Sequence, residues 1–108
     1  MRWTVLLLNR KVEKELEELS ADMRARFQWI VRLIEAHGIE NVGMPYVRPI
    51  HGKLWEMRMK GKGGISRGLY VTASGRKVIV LRIFVKKTEK TPEREIRLAL
   101  ERAKEIGS

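Results

Sequence analysis

The chain contains no cysteine. That excludes a disulfide framework and a thiolate metal site, and it fits a reducing compartment. Long apolar runs are also missing. The N-terminal run from Trp3 to Leu8 is far shorter than the ~20 residues of a membrane helix. It also lacks the length and small-residue cleavage site of a secretory signal. A soluble, cytoplasmic protein is expected, with no membrane partner. Histidine is scarce: His37 and His51 lie in different segments, and nothing in the sequence brings them together. Of the two, His51 is the better placed for chemistry, because it leads into a basic stretch. Without H-E-x-x-H or clustered carboxylates, no metal and no other cofactor is expected. Gly61-Lys62-Gly63-Gly64 lacks the full spacing of a phosphate-cradling loop and reads as a hairpin turn.

Acidic residues are also scarce, but only in the middle of the chain. Residues 1–45 hold seven Lys/Arg and seven Asp/Glu, and residues 91–108 hold four of each. Residues 46–90 hold twelve basic residues against Glu56 and Glu89, so this segment carries the entire net charge of +10. A one-sign segment between neutral flanks creates a field that attracts polyanions, nucleic acid above all.

With 108 residues the chain can bury roughly two thirds of its unfolded surface in one core. Residues 1–106 read as a single domain, and Gly107-Ser108 as a tail. Arg2–Leu8 has the length of a buried strand. Asn9 can cap the next element, in which Val12, Leu16, Leu19 and Met23 recur at helical spacing. Ser20-Ala21-Asp22 marks a break. Met23, Phe27, Ile30, Leu33 and Ile34 then form a second stripe that ends at Gly38, which suits a left-handed cap. Residues 39–52, rich in proline and glycine, read as an irregular connection. Three strands follow: 54–60 (LWEMRMK), 65–72 (ISRGLYVT) and 77–85, the last the most β-prone and expected in the middle of the sheet. Thr91 suits an N-cap and Pro92 the first turn of a final helix carrying Ile96, Ala99, Leu100, Ala103 and Ile106 on its apolar stripe. The order β-α-α-β-β-β-α implies an α+β domain: a mainly antiparallel four-stranded sheet, an N-terminal helical hairpin on one face and a C-terminal helix.

Alternation sets Glu56, Arg58 and Lys60 against Trp55, Met57 and Met59, and it sets Arg82, Phe84 and Lys86 on one side of the last strand. Arg67 joins these cations if the hairpin registers agree, with Lys87 and Lys90 at the rim. Like charges on neighbouring strands repel, so strand stability alone does not account for this pattern. Arginine forks match phosphate oxygens, and cations stabilise a phosphorane or a leaving oxygen. A lysine crowded by other cations can transfer a proton near neutrality. The same residues serve equally for gripping a backbone without cutting it. Trp3 and Trp29 read as packing residues, Trp55 and Tyr70 as core or edge residues.

The strings LWEMR (54–58), RGLY (67–70) and above all FVKKTEKTP followed by EREIRLAL (84–100) resemble the HigB branch of the RelE/ParE toxin superfamily. The resemblance implies a RelE-like fold and the toxin of a type II toxin-antitoxin pair. It implies a metal-independent mRNA interferase that cuts translated mRNA on the ribosome and is held by a separate antitoxin, expected to be a helix-turn-helix protein. Motif position then implies Arg67 as phosphate and transition-state binder and Lys87 or Lys86 as the catalytic cation. Arg58 is implied as a supporting cation, and Lys60, Arg82 and Lys90, which alternation and the strand end place near it, are expected as further RNA or phosphate contacts. Many HigB-like relatives read H-G-F-V-K-K where this chain reads RIFVKK, so Arg82 and Ile83 replace His and Gly. A guanidinium can hold a phosphate but cannot act as a base at neutral pH. The same scaffold also includes ParE-type gyrase inhibitors, so the alternative is a gyrase poison or a non-catalytic nucleic-acid-binding module.

Overall fold

The N-terminal apolar run forms strand β1 (Thr4–Leu7) in a computed structural model that describes residues 2–86 and 90–106. Asn9 ends the strand and caps helix α1 (Arg10–Glu17), its side chain accepting the Val12 amide at 3.2 Å. Ser20 caps helix α2 (Ala21–His37) in the same way, so the expected break between the two stripes is a true helix boundary. Gly38 closes α2 at φ 87°, a conformation open to glycine.

Residues 39–52 are more regular than expected. Val47–His51 forms strand β2, followed by β3 (Leu54–Gly61), β4 (Gly64–Ala73) and β5 (Lys77–Lys86). The sheet is therefore five-stranded, in the order β1-β5-β4-β3-β2. Pro49 argues against a strand from sequence, but proline is tolerated on an edge strand, which is where β2 lies. β5 is interior but not central: β4 holds the middle, and β5 pairs with it antiparallel and with β1 in parallel.

Alternation works as expected along the strands. Met57, Met59, Tyr70, Val78, Val80 and Ile83 pack against Val12, Met23, Phe27, Ile30 and Ile34 of the helical hairpin. On the opposite face, Leu54, Leu69, Ile79, Leu81 and Phe84 pack against Ala99 of helix α3 (Glu93–Ala103). Leu100, expected on that buried stripe, is 38% exposed; the turns that face the sheet run through Thr91, Glu95 and Ala99. Trp29, expected to pack, is 45% exposed on the outer side of α2.

β1 is too short to cover the outer edge of β5. Its last contact is the Leu8 amide on the Val80 carbonyl at 3.0 Å. Where β1 stops, Glu15 of α1 takes over and accepts the Ile83 amide at 3.0 Å. A bulge at Leu81 shifts the β4–β5 register there, and the Leu81 carbonyl accepts from Arg102 at 2.9 Å. Glu15 also binds Arg102 at 2.9 Å and Arg82 at 2.8 Å, and Arg82 in turn holds Glu95 at 2.7 Å. One ion cluster thus ties both helical layers to the sheet edge.

Burial of Glu15 works to raise its pKa, but the bonds from Arg102, the Ile83 amide and Arg82 outweigh it and hold the carboxyl below its ordinary value. Its contribution to stability is present above the unfolded carboxylate pKa of about 4.3 and is lost as pH falls through the folded value. Glu15→Gln should cost roughly 3 kcal/mol at neutral pH. The difference in Tm from the parent should narrow as pH drops below about 4, read by circular dichroism melting. A pH-independent difference would contradict this account.

Candidate anion site at the uncovered end of the sheet

Helix α3 covers only part of the second face. Three cross-strand rows show where the cover ends. Glu56, Leu69 and Arg82 align across β3, β4 and β5; Arg58, Arg67 and Phe84 form the next row; Lys60, Ile65 and Lys86 form the last. The first row lies under α3, through the Arg82–Glu95 pair and the packing of Leu69 with Ala99. The last row lies at the free end of the sheet. The register therefore brings Arg58, Lys60, Arg67 and Lys86 together, as the alternation pattern requires.

At the root of this group sits an acid. Glu56 has no exposed surface, and neither has Arg67. One Glu56 oxygen accepts from Arg67 at 2.7 Å and from Arg48 of β2 at 3.0 Å; the other accepts from the Thr91 hydroxyl. The carboxylate thus joins β2, β3, β4 and the segment leading into α3. Arg58 and Arg67 stand directly opposite each other, a repulsive pairing in isolation. The neighbouring Glu56 carboxylate offsets it.

Lys86 feels the result. Partial desolvation first, then the charges of Arg67, Arg48 and Lys90, hold its pKa below the ordinary lysine value, with Glu56 pulling the other way. A lysine in such a field is a better proton carrier near neutrality than an isolated one.

Not every expected site residue joins this group. Arg82 was expected to hold phosphate, but its guanidinium lies between Glu15 and Glu95 and over the Phe84 ring. The bond to Glu95, with desolvation opposing and Glu15 adding to it, raises its pKa further. Its charge is neutralised inside the fold. Lys90 is exposed, close enough to act on Lys86. Lys87 lies outside the described residues. Thr91 is not the helix cap: Pro92 takes that position without a side-chain bond, and the Thr91 hydroxyl serves Glu56 instead. Tyr70 is buried on the hairpin side, where desolvation pushes its hydroxyl pKa well up. His37 and His51 are both exposed, in α2 and β2.

Sequence reasoning counts Arg48 only as charge, reads Thr91 only as a helix cap and treats Glu56 only as a member of a basic face. The available signal was the rarity of acid: Glu56 is one of two carboxylates among residues 46–90. Among the described residues, no group of three His, Asp or Glu is placed to hold a metal ion, and no helix is long and apolar enough to cross a membrane.

This architecture is shared with known proteins. The structure of an arginine double mutant of the E. coli toxin RelE in the free state superposes with a TM-score of 0.63 at 13% identity, covering 94% of this chain and 98% of that one. The archaeal RelE–RelB complex from Pyrococcus horikoshii OT3 gives a TM-score of 0.57 at 19% identity, covering 79% and 96%. At such identities the likeness concerns the fold, and the fold is RelE-like. Residues 14–104 match the family model described as "Phage derived protein Gp49-like (DUF891)", and the chain belongs to that family. No curated protein matches it.

Glu56→Gln removes the buried carboxylate charge that Arg67 and Arg48 share. A loss of roughly 3–5 kcal/mol in denaturant unfolding is expected. Thr91→Val, which removes one bond to the carboxylate, should cost about 1.5–3 kcal/mol. In the Glu56→Gln protein Lys86 should titrate still lower by NMR, because the charge favouring its ammonium is gone. An unmoved Lys86 would show that Glu56 does not organise this site.

Proposed function

We propose that the chain is the toxin of a type II toxin-antitoxin pair, of the HigB-like kind, and that it cleaves translated mRNA on the ribosome without a metal. The observation that carries this reading is the cross-strand register, which gathers Arg58, Lys60, Arg67 and Lys86 at the end of the sheet that α3 leaves uncovered. The Gp49-like family and the RelE-like fold support it. By analogy with the RelE–RelB pair, the partner is a separate antitoxin; the HigB-like resemblance adds the expectation that it is a helix-turn-helix protein.

RNA supplies its own nucleophile. The ribose 2′-oxygen attacks phosphorus in line, the 2′-O–P bond forms, and the bond to the 5′-oxygen of the next nucleotide breaks. The products are a 2′,3′-cyclic phosphate and a 5′-hydroxyl. A protein needs to move one proton from the attacking oxygen, deliver one to the leaving oxygen and stabilise the phosphorane between them. Lys86, with its lowered proton affinity, is the proton-transfer group among the described residues, and Lys87 beside it in the sequence shares that assignment. Arg58 and Lys60 grip the phosphates. Arg67 has no exposed surface, so it acts from beneath, by its field on Lys86 and on the phosphorane, rather than by direct contact. Lys90 adds charge at the rim.

Inducing the gene and mapping cellular mRNA 5′ ends tests this reading. Cuts in phase with codons, confined to translated messages, are the expected outcome. Lys86→Ala should reduce cleavage by about two orders of magnitude, the contribution typical of a general acid or base. Lys86→Arg should reduce it nearly as much, since a guanidinium keeps the charge but not the proton transfer. Intact mRNA accompanied by DNA damage would overturn the nuclease and point to a gyrase poison.

A further inference from the structure

Beside the rows described above, β2 ends and the outer edge of β3 opens. The Arg58 amide bonds to the Tyr46 carbonyl at 2.8 Å, and Val47 with Met57 is the last β2–β3 pair at that end. Beyond it lies a cleft of about 400 Å³ lined by Arg26, Pro45, Tyr46, Arg58, Lys60 and Ile65. Its size falls in the range of small-ligand sites. Three cations converge on it, Arg26 from α2 and Arg58 and Lys60 from β3, and no carboxylate among the described residues lines it.

Several arginines of the sheet and helices are already engaged. Arg48, Arg67, Arg82 and Arg102 are all held by carboxylates, and Arg24 by the Glu17 and Leu19 carbonyls. Arg26, Arg58 and Lys60 make no hydrogen bond or ion pair through their side chains among the described residues. Arg58 Nε is buried without an acceptor, and a buried donor in that state calls for one. The one carboxylate a helical turn from Arg26 is Asp22, and it is already engaged by Ser20, by the Met23 amide and by the Lys62 amide.

We propose that this cleft is a second subsite of the RNA site, which holds a single-stranded nucleotide flanking the one being cut: Arg26, Arg58 and Lys60 take its phosphate and Tyr46 stacks on its base. The proposal rests on the polyanion reading of the uncovered sheet end. Continuity supports it, because Lys60 is paired with Ile65 and Ile65 with Lys86. One nucleic-acid strand can therefore cross from the cleft to Lys86 over two strand spacings, about 10 Å. The half-buried Tyr46 ring, packed on the core and lining the cleft, offers the flat apolar surface a base needs. A free inorganic anion has no use for such a wall.

The test uses the purified full chain, a fluorescein-labelled single-stranded RNA oligonucleotide with an uncleavable 2′-O-methyl backbone, and anisotropy titrations over a series of salt concentrations. Arg26→Gln should weaken binding and flatten the log K against log salt slope by about 0.7, the loss of one phosphate contact. Arg26→Lys should restore the slope. Tyr46→Leu should weaken binding by about tenfold, while Tyr46→Phe stays near the parent. Arg32→Gln, on an exposed part of the same helix, serves as the control and should change nothing. Melting curves establish that each variant is folded. If the parent binds RNA and the Arg26 and Tyr46 variants bind it equally well with unchanged slopes, the subsite is refuted while the nuclease reading stands. If the parent does not bind RNA at all but binds a poly-glutamate peptide through Arg26, both readings fail and the cleft is an acidic-protein site.

Discussion

A single buried carboxylate makes the basic end of this sheet physically tenable. Twelve cations against two acids in residues 46–90 would repel one another across adjacent strands. Glu56 lies at the point of greatest crowding, with no exposed surface, bonded to Arg67, Arg48 and Thr91. A buried ion pair is weak evidence for net stability, since desolvation offsets much of the attraction. What it does supply is position. Glu56 draws β2, β4 and the entry to α3 onto β3, and it fixes Arg67 under the surface on which Lys60 and Lys86 stand.

A second cluster governs the β5 end of the same row. Where β1 ends, Glu15 replaces it as the acceptor for the Ile83 amide, and with Arg82, Glu95 and Arg102 it links α1, β5 and α3. The two clusters divide the cations of the sheet into two kinds. Arg82 and Arg102 are neutralised within the fold; Arg58, Lys60 and Lys86 have no ion pair among the described residues. Arg82 stands where the HigB-like sequence pattern would place a histidine. Here it closes an ion network with Glu15 and Glu95.

The helical hairpin, the three later strands and the basic face were legible because each rests on local periodicity or on composition. Val12, Met23, Phe27, Ile30 and Ile34 recur at helical spacing and are buried; Met57 and Met59 alternate with Arg58 and Lys60 as the pleat demands. What the sequence concealed depends on contacts distant along the chain. Arg82 looked like a site cation because its partner Glu15 is 67 residues away. Thr91 looked like a helix cap because its acceptor Glu56 is 35 residues away. β2 was hidden by Pro49, which argues against a strand unless the strand lies at an edge. Trp29 looked like core because bulk suggests burial, yet it faces outward. Lys87, the cation that motif position favours most, lies outside the described residues, so its role rests on the sequence alone.

The central claim is that RNA occupies the end of the sheet beyond α3. Backbone amide NMR of the full chain, titrated with an uncleavable RNA oligonucleotide, addresses it most directly. The account predicts shift changes concentrated at Arg58, Lys60, Ile65 and Lys86, with the Glu15–Arg82–Glu95 cluster left still. Changes centred on that cluster, or on β1 and the outer face of α2, would contradict it.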